Sequence, residues 1–176
     1  MTLFRAVGAA ALLGCSSQPH PDLERPSGFD TSALPVTART FLSALNTSQR
    51  AAASFSFGDP ERTKWAYVPQ QRAGIPLKAM DADQRAAAFD VLATGLSDRG
   101  TRLARGNIEL EGILGKLEGM VSNLWLRRDP ELYYMALFMA PNGTQPWGWR
   151  FEGHHLSVNV TELGAHGQIV APLFMG

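Results

Sequence analysis

The residues of this chain best suited to chemistry are gathered in one short run, Trp147-Gly148-Trp149-Arg150-Phe151-Glu152-Gly153-His154-His155-Leu156-Ser157-Val158-Asn159-Val160. It holds two of the four tryptophans, two of the four histidines, an Arg–Glu pair and two glycines. Imidazoles bind metals and shuttle protons near neutral pH, while Ser and Asn side chains orient ligands or stabilise anions. Read as one unbroken strand, the run sends alternate side chains to opposite faces. Trp147, Trp149, Phe151, Gly153, His155, Ser157 and Asn159 then share one face, aromatic at one end and polar at the other, like the wall of a cleft. Arg150, Glu152, His154, Leu156, Val158 and Val160 share the other. Gly153 could carry a bulge that reverses the register beyond it.

The roles follow from residue type. His155 is the candidate catalytic acid/base or metal ligand, with Glu152 as a proton-handling partner. His154 and His155 are the candidate ligands of a divalent metal ion. Trp147, Trp149, Arg150, Ser157 and Asn159 are candidate ligand-binding residues, the indoles being able to stack on a sugar or a cation. Two histidines do not close a metal site, and neighbours on a strand diverge. Further ligands would have to come from elsewhere, and His166 is the only other histidine in the folded region. The competing reading is structural: both imidazoles hydrogen-bond within a packed sheet and the indoles belong to the core. No Gly-rich phosphate loop, Gly-x-Ser-x-Gly elbow, His-Glu-x-x-His pair or Cys-x-x-Cys motif occurs, so those chemistries lose their support.

The elements that must hold this run are legible from periodicity. A chain of 176 residues, 45% hydrophobic and 18% charged, suits one globular domain. Sixteen basic residues balance sixteen acidic ones, which leaves no basic face for nucleic acid. Helices are expected over 37–55, which Thr47-Ser48 could break in the middle, 78–96 and 107–120, the second capped by Asp81 or Asp83 and ended by Gly100. Two similar stretches, Gln49-Arg50-Ala51-Ala52-Ala53 and Gln84-Arg85-Ala86-Ala87-Ala88, have flanks that match at no fixed period. Residues 63–69 read as an extended segment, and Leu132 to Met139 as a central strand apolar on both faces. Pro141-Asn142-Gly143 is a turn signal, and 168–174 a third strand. The expected fold is α+β, with N-terminal helices packed on a small antiparallel sheet.

The N-terminus has a separate logic. Residues 1–14 have one positive charge before an apolar run far too short to span a bilayer. The run ends in Leu12-Leu13-Gly14-Cys15, with the sole cysteine of the chain. This resembles the lipobox of bacterial lipoproteins, in which the cysteine is acylated and becomes the new N-terminus. The alternative is an ordinary signal peptide with a chance cysteine. Residues 15–35 read as a flexible tether and 36–176 as a single domain. The resemblance implies a membrane partner through the lipid anchor. With Ser16 after the cysteine, it also implies a place on the outer membrane facing the periplasm.

The block Arg128-Asp129-Pro130-Glu131-Leu132-Tyr133-Tyr134, followed by Trp147 to Ser157, resembles the domain-of-unknown-function 3500 family. Upstream, Trp65-Ala66-Tyr67-Val68-Pro69, Arg72-Ala73-Gly74 and Met80 with Gln84-Arg85 match the same family in order. The Gly-His-His-Leu-Ser element is the most specific part. The family carries no established activity, so the resemblance names a domain without naming a reaction. It also implies a continuation beyond Pro172-Leu173-Phe174-Met175-Gly176, with further histidines, and hence an expected missing C-terminal half or partner subunit. Two functions are expected from the sequence. One is a lipid-anchored envelope protein with a histidine site for a metal. The other is a non-catalytic envelope binding module with structural histidines, or an inactive fragment.

Overall fold

The computed structural model describes residues 34–68, 70–118, 128–139 and 146–176. Helices α1 (Val36–Ala44), α2 (Thr47–Ala53), α3 (Ala82–Thr94) and α4 (Asp98–Glu118) pack with strands β1 (Ser54–Ser56), β2 (Ile75–Pro76), β3 (Tyr134–Met139), β4 (Trp147–Gly153), β5 (Leu156–Glu162) and β6 (Gln168–Met175). The strands form one sheet in the order β1-β3-β4-β5-β6, with β2 also paired to β3. The α+β class stands, but the sheet is mixed rather than purely antiparallel. Strand β1 runs parallel to β3, with Ser54 opposite Leu137. It follows α2 directly, and a strand too short to carry a periodicity leaves no alternation to read.

The expected helix over 37–55 is two helices. Leu45 is extended at the end of α1, and Asn46 starts α2 with a capping box in which its side chain accepts from the Gln49 backbone N–H. Asp81 opens α3 by the same reciprocal device with Gln84. The two Gln-Arg-Ala-Ala-Ala stretches thus share a helix start. Their glutamines also meet, with side-chain amides 3.0 Å apart, and Gln84 donates to the last α1 carbonyl, Ala44 O. Helix α4 begins nine residues before the expected 107, because Gly100 lies inside its first turn instead of ending the previous helix.

One face of the sheet carries the main core. Met135, Leu137, Trp147, Trp149, Phe151, Leu156, Val158 and Val160 are buried against Phe41 and Leu42 of α1 and Val91 and Leu92 of α3. Strand β3 is buried along its whole length, as expected of a central strand. The opposite face has a smaller cluster of Phe55, Ala136 and Phe138. Residues 57–68 and 70–74 cover it without becoming a strand. After a 3-10 turn at Pro60–Thr63, the carbonyls of Lys64, Ala66 and Val68 are taken by arginine side chains, so no ladder forms there. No helix among the described residues is long and apolar enough to cross a membrane. The lipobox at Cys15, most of the tether and the Pro141-Asn142-Gly143 turn lie outside the described residues.

Candidate functional site

The chemistry-bearing run is a hairpin, not one strand. Gly153 pairs with Leu156, and the chain reverses at His154-His155. The reversal re-sorts every side chain after it. Leu156, Val158 and Val160 join Trp147, Trp149 and Phe151 in the core. Ser157 and Asn159 stand directly opposite Glu152 and Arg150 on the other face. The expected cleft wall of tryptophans is therefore corrected: Trp147 and Trp149 are 2% and 1% exposed. Their indole nitrogens are buried without hydrogen bonds. Gly153 ends β4 rather than carrying a bulge; the irregularity lies between β5 and β6, at Val158 to Val160.

A buried ionic cluster occupies the polar face. Glu152 Oε1 lies 3.1 Å from Arg150 Nε and 3.6 Å from Arg72 Nε, and all three side chains are nearly inaccessible. Ser157 Oγ donates to Glu152 Oε2 at 3.1 Å, and the Asn159 amide donates to Ser157 Oγ and to Pro172 O. Arg150 donates to the carbonyls of Glu61 and Lys64 and pairs with the Glu61 carboxylate at 2.8 Å. Arg72 donates to the carbonyls of Ala66, Val68 and Gln70. Charges this deep persist only when paired and hydrogen-bonded, and here they fasten residues 61–72 to the sheet. Burial pushes the Glu152 carboxyl above its ordinary range, while Arg150, Arg72, the Ala66 N–H and the Ser157 hydroxyl pull it back. Burial also lowers Arg72, against the attraction of Glu152.

Above this cluster a cleft of about 220 Å³ opens. Arg72 and Glu152 contribute to its lining from below, and Glu61, Lys64, Trp65 and Gln71 are among its walls. Lys64 pairs with Glu61 at 3.2 Å across the rim.

The histidines occupy the hairpin tip. His154 Nδ1 is 2.7 Å from Glu111 Oε1, a buried carboxylate of α4 that also pairs with Arg128 at 3.3 Å. The Tyr133 hydroxyl donates to His154 O at 2.5 Å. Burial, reinforced by the charge of Glu111, pushes its phenol well above the usual range, against the pull of Arg72 and Arg128. His155 is left-handed at φ 63, which costs a non-glycine residue about 1 kcal/mol. Its carbonyl accepts from Gly176 N and Asn107 Nδ2, and its N–H donates to Tyr67 O. The two rings meet edge to face with centroids 4.1 Å apart. His166 lies exposed in the turn Gly164–His166. No group of three His, Cys, Asp or Glu side chains suited to a metal converges among the described residues.

The structure therefore joins Arg150, Glu152, Ser157 and Asn159 and sets Trp147 and Trp149 apart from them. His154 is tied to α4 and not to Glu152. Sequence reasoning missed Arg72 as the third charge of the cluster, Glu111 as the partner of His154, and Trp65 as the cleft aromatic. Arg72 and Trp65 each sat in a block that had been singled out, but pairing across 80 residues leaves no local trace.

A family model described as a protein of unknown function, DUF3500, matches residues 27–176. The chain belongs to this family. Neither a curated protein nor a solved structure matches it. In this DUF3500 chain the separate blocks of the resemblance are spatial neighbours. Arg72 meets Glu152, Tyr67 O receives the His155 N–H, and Arg128 reaches Glu111 beside His154.

Proposed function

We propose that this chain is a lipid-anchored ligand-binding protein of the bacterial cell envelope. Its cleft over Arg72 and Glu152 holds a small polar ligand, and its paired histidines serve the fold. The observation that carries the reading is a concave, solvent-open site whose lining includes two buried, opposite charges held in fixed positions by their neighbours. Convergent polar groups in a cleft are the usual mark of a ligand site. The cleft is smaller than the roughly 300–1,000 Å³ of drug-sized pockets, which points to a ligand of about one ring. A structural role for the histidine tip is supported by the contact of His154 Nδ1 with Glu111, which also pairs with Arg128.

The anchoring half of the reading rests on Leu12-Leu13-Gly14-Cys15. Two or more acyl chains hold a protein stably at a membrane surface. Expressed in a bacterium, the chain should incorporate labelled palmitate and fractionate with outer membranes. Cys15→Ala should abolish both, and labelling that survives the substitution would contradict the anchor.

The binding half is tested by calorimetric titration of the full chain with neutral sugars, amino acids and dicarboxylates. At least one class should bind, and Gln71→Trp, which fills the cleft from an exposed position, should eliminate binding without lowering Tm. No binding by any class, or binding indifferent to Gln71→Trp, would overturn it. Stoichiometric zinc, copper or iron that is lost in His155→Ala would favour a metal centre at the hairpin tip instead.

A further inference from the structure

We infer that the cleft, on the binding reading above, takes one ring of a neutral glycan, with Trp65 as its stacking platform and Tyr67 as the seat of the next ring. Trp65 lines the cleft and is 45% exposed, and Tyr67 beside it is 49% exposed. Their ring centroids are 5.8 Å apart, and Tyr67 in turn lies 4.9 Å from Phe174. An aromatic strip thus leads out of a polar hollow and along the sheet face. Large aromatic faces left in water forgo the burial that holds such residues inside, and here nothing in the core requires them at the surface.

The remaining lining selects the chemistry. Glu61 and Glu152 are matched by Lys64 and Arg72, so the cleft carries two negative and two positive side chains and favours neither an anion nor a cation. Gln70 and Gln71 add amides that both donate and accept. Vicinal hydroxyls are the ligand groups that such a mixed set serves best, since each hydroxyl donates one hydrogen bond and accepts others. A sugar ring also has an apolar C–H face to lay on an indole. An apolar ligand would strand these polar groups without partners. A quaternary ammonium would use the indole face, but it would meet Lys64 and Arg72 as well.

The test is calorimetric titration of the full chain with glucose- and N-acetylglucosamine-based sugars of one to four rings, alongside choline and amino acids. Affinity should rise at least fivefold from one ring to two and should be indifferent to ionic strength. Trp65→Ala should weaken binding at least tenfold. Tyr67→Ala should abolish only the gain from the second ring. Both variants should stay folded with at most a small drop in Tm, because neither ring belongs to the buried core clusters. If an amino acid or choline binds, Gln71→Trp blocks it and no sugar binds, the glycan assignment falls while the cleft reading stands. If no compound binds, both fall. Sugar binding unaffected by Trp65→Ala overturns the assignment directly.

Discussion

At the residue scale, the sequence element Gly153-His154-His155 is explained by one ring. A Cβ on Gly153 would lie within 2.6 Å of Tyr133 Cε1 and Cγ. The glycine lets Tyr133 cross the strand and bond His154 O. Gly153→Ala should therefore destabilise the chain by about 1–3 kcal/mol through overpacking, read by urea denaturation. Tyr133→Ala in the same background should relieve part of that loss, and additive effects would contradict the account. Glu152 supplies a second residue-level test. Its folded-state proton affinity is raised above the ordinary 4.5 by burial. Its contribution is thus fully present below that value and lost as pH rises through the folded one. Measured against Glu152→Gln, wild-type stability should decline across that interval and run parallel above it. A wild-type advantage that grows with pH would show that the two arginines outweigh burial.

At the element scale, the irregular segment 57–74 is held by guanidiniums where a strand would be held by a ladder. Arg72→Met keeps much of the side-chain bulk but leaves three carbonyls without their charged donor. The expected cost is about 3 kcal/mol, with faster amide exchange over 61–72 and little change in α3. Uniform acceleration across the chain would mean that the segment is not a separate unit. This element also shows where reading the sequence fails. Trp65-Ala66-Tyr67-Val68 has the composition of a strand, yet Ala66 O and Val68 O accept from the Arg72 side chain and Tyr67 O from the His155 N–H. Propensity carries no information about side-chain donors or about partners across the fold. Helix α3 was legible because its cap, Asp81 with Gln84, is local. The hairpin was misread for a related reason: His154-His155 is not a standard turn pair, and only the left-handed His155 reveals the reversal.

At the scale of the whole molecule, the α+β class and the central strand β3 followed from long apolar runs. The parallel pairing of β1 and the identity of the inner sheet face did not. That second error moved the expected site. Placing Trp147 and Trp149 on a cleft wall transferred a stacking role to core residues, while among the described residues the exposed indole is Trp65, on the other side of the sheet. The sheet is a partition, with the helices and the main core on one face and an ion-pinned polar cleft on the other. On the proposed binding function, a ligand engages the cleft and leaves the core face and the hairpin tip unchanged. The direct measurement is a 15N–1H titration of the full chain with a neutral trisaccharide, following indole and imidazole signals assigned by single substitution. The Trp65 indole should shift, and those of Trp147, Trp149 and the His154 ring should stay in place. Movement confined to the histidine tip or to the buried indoles, with Trp65 still, would contradict it.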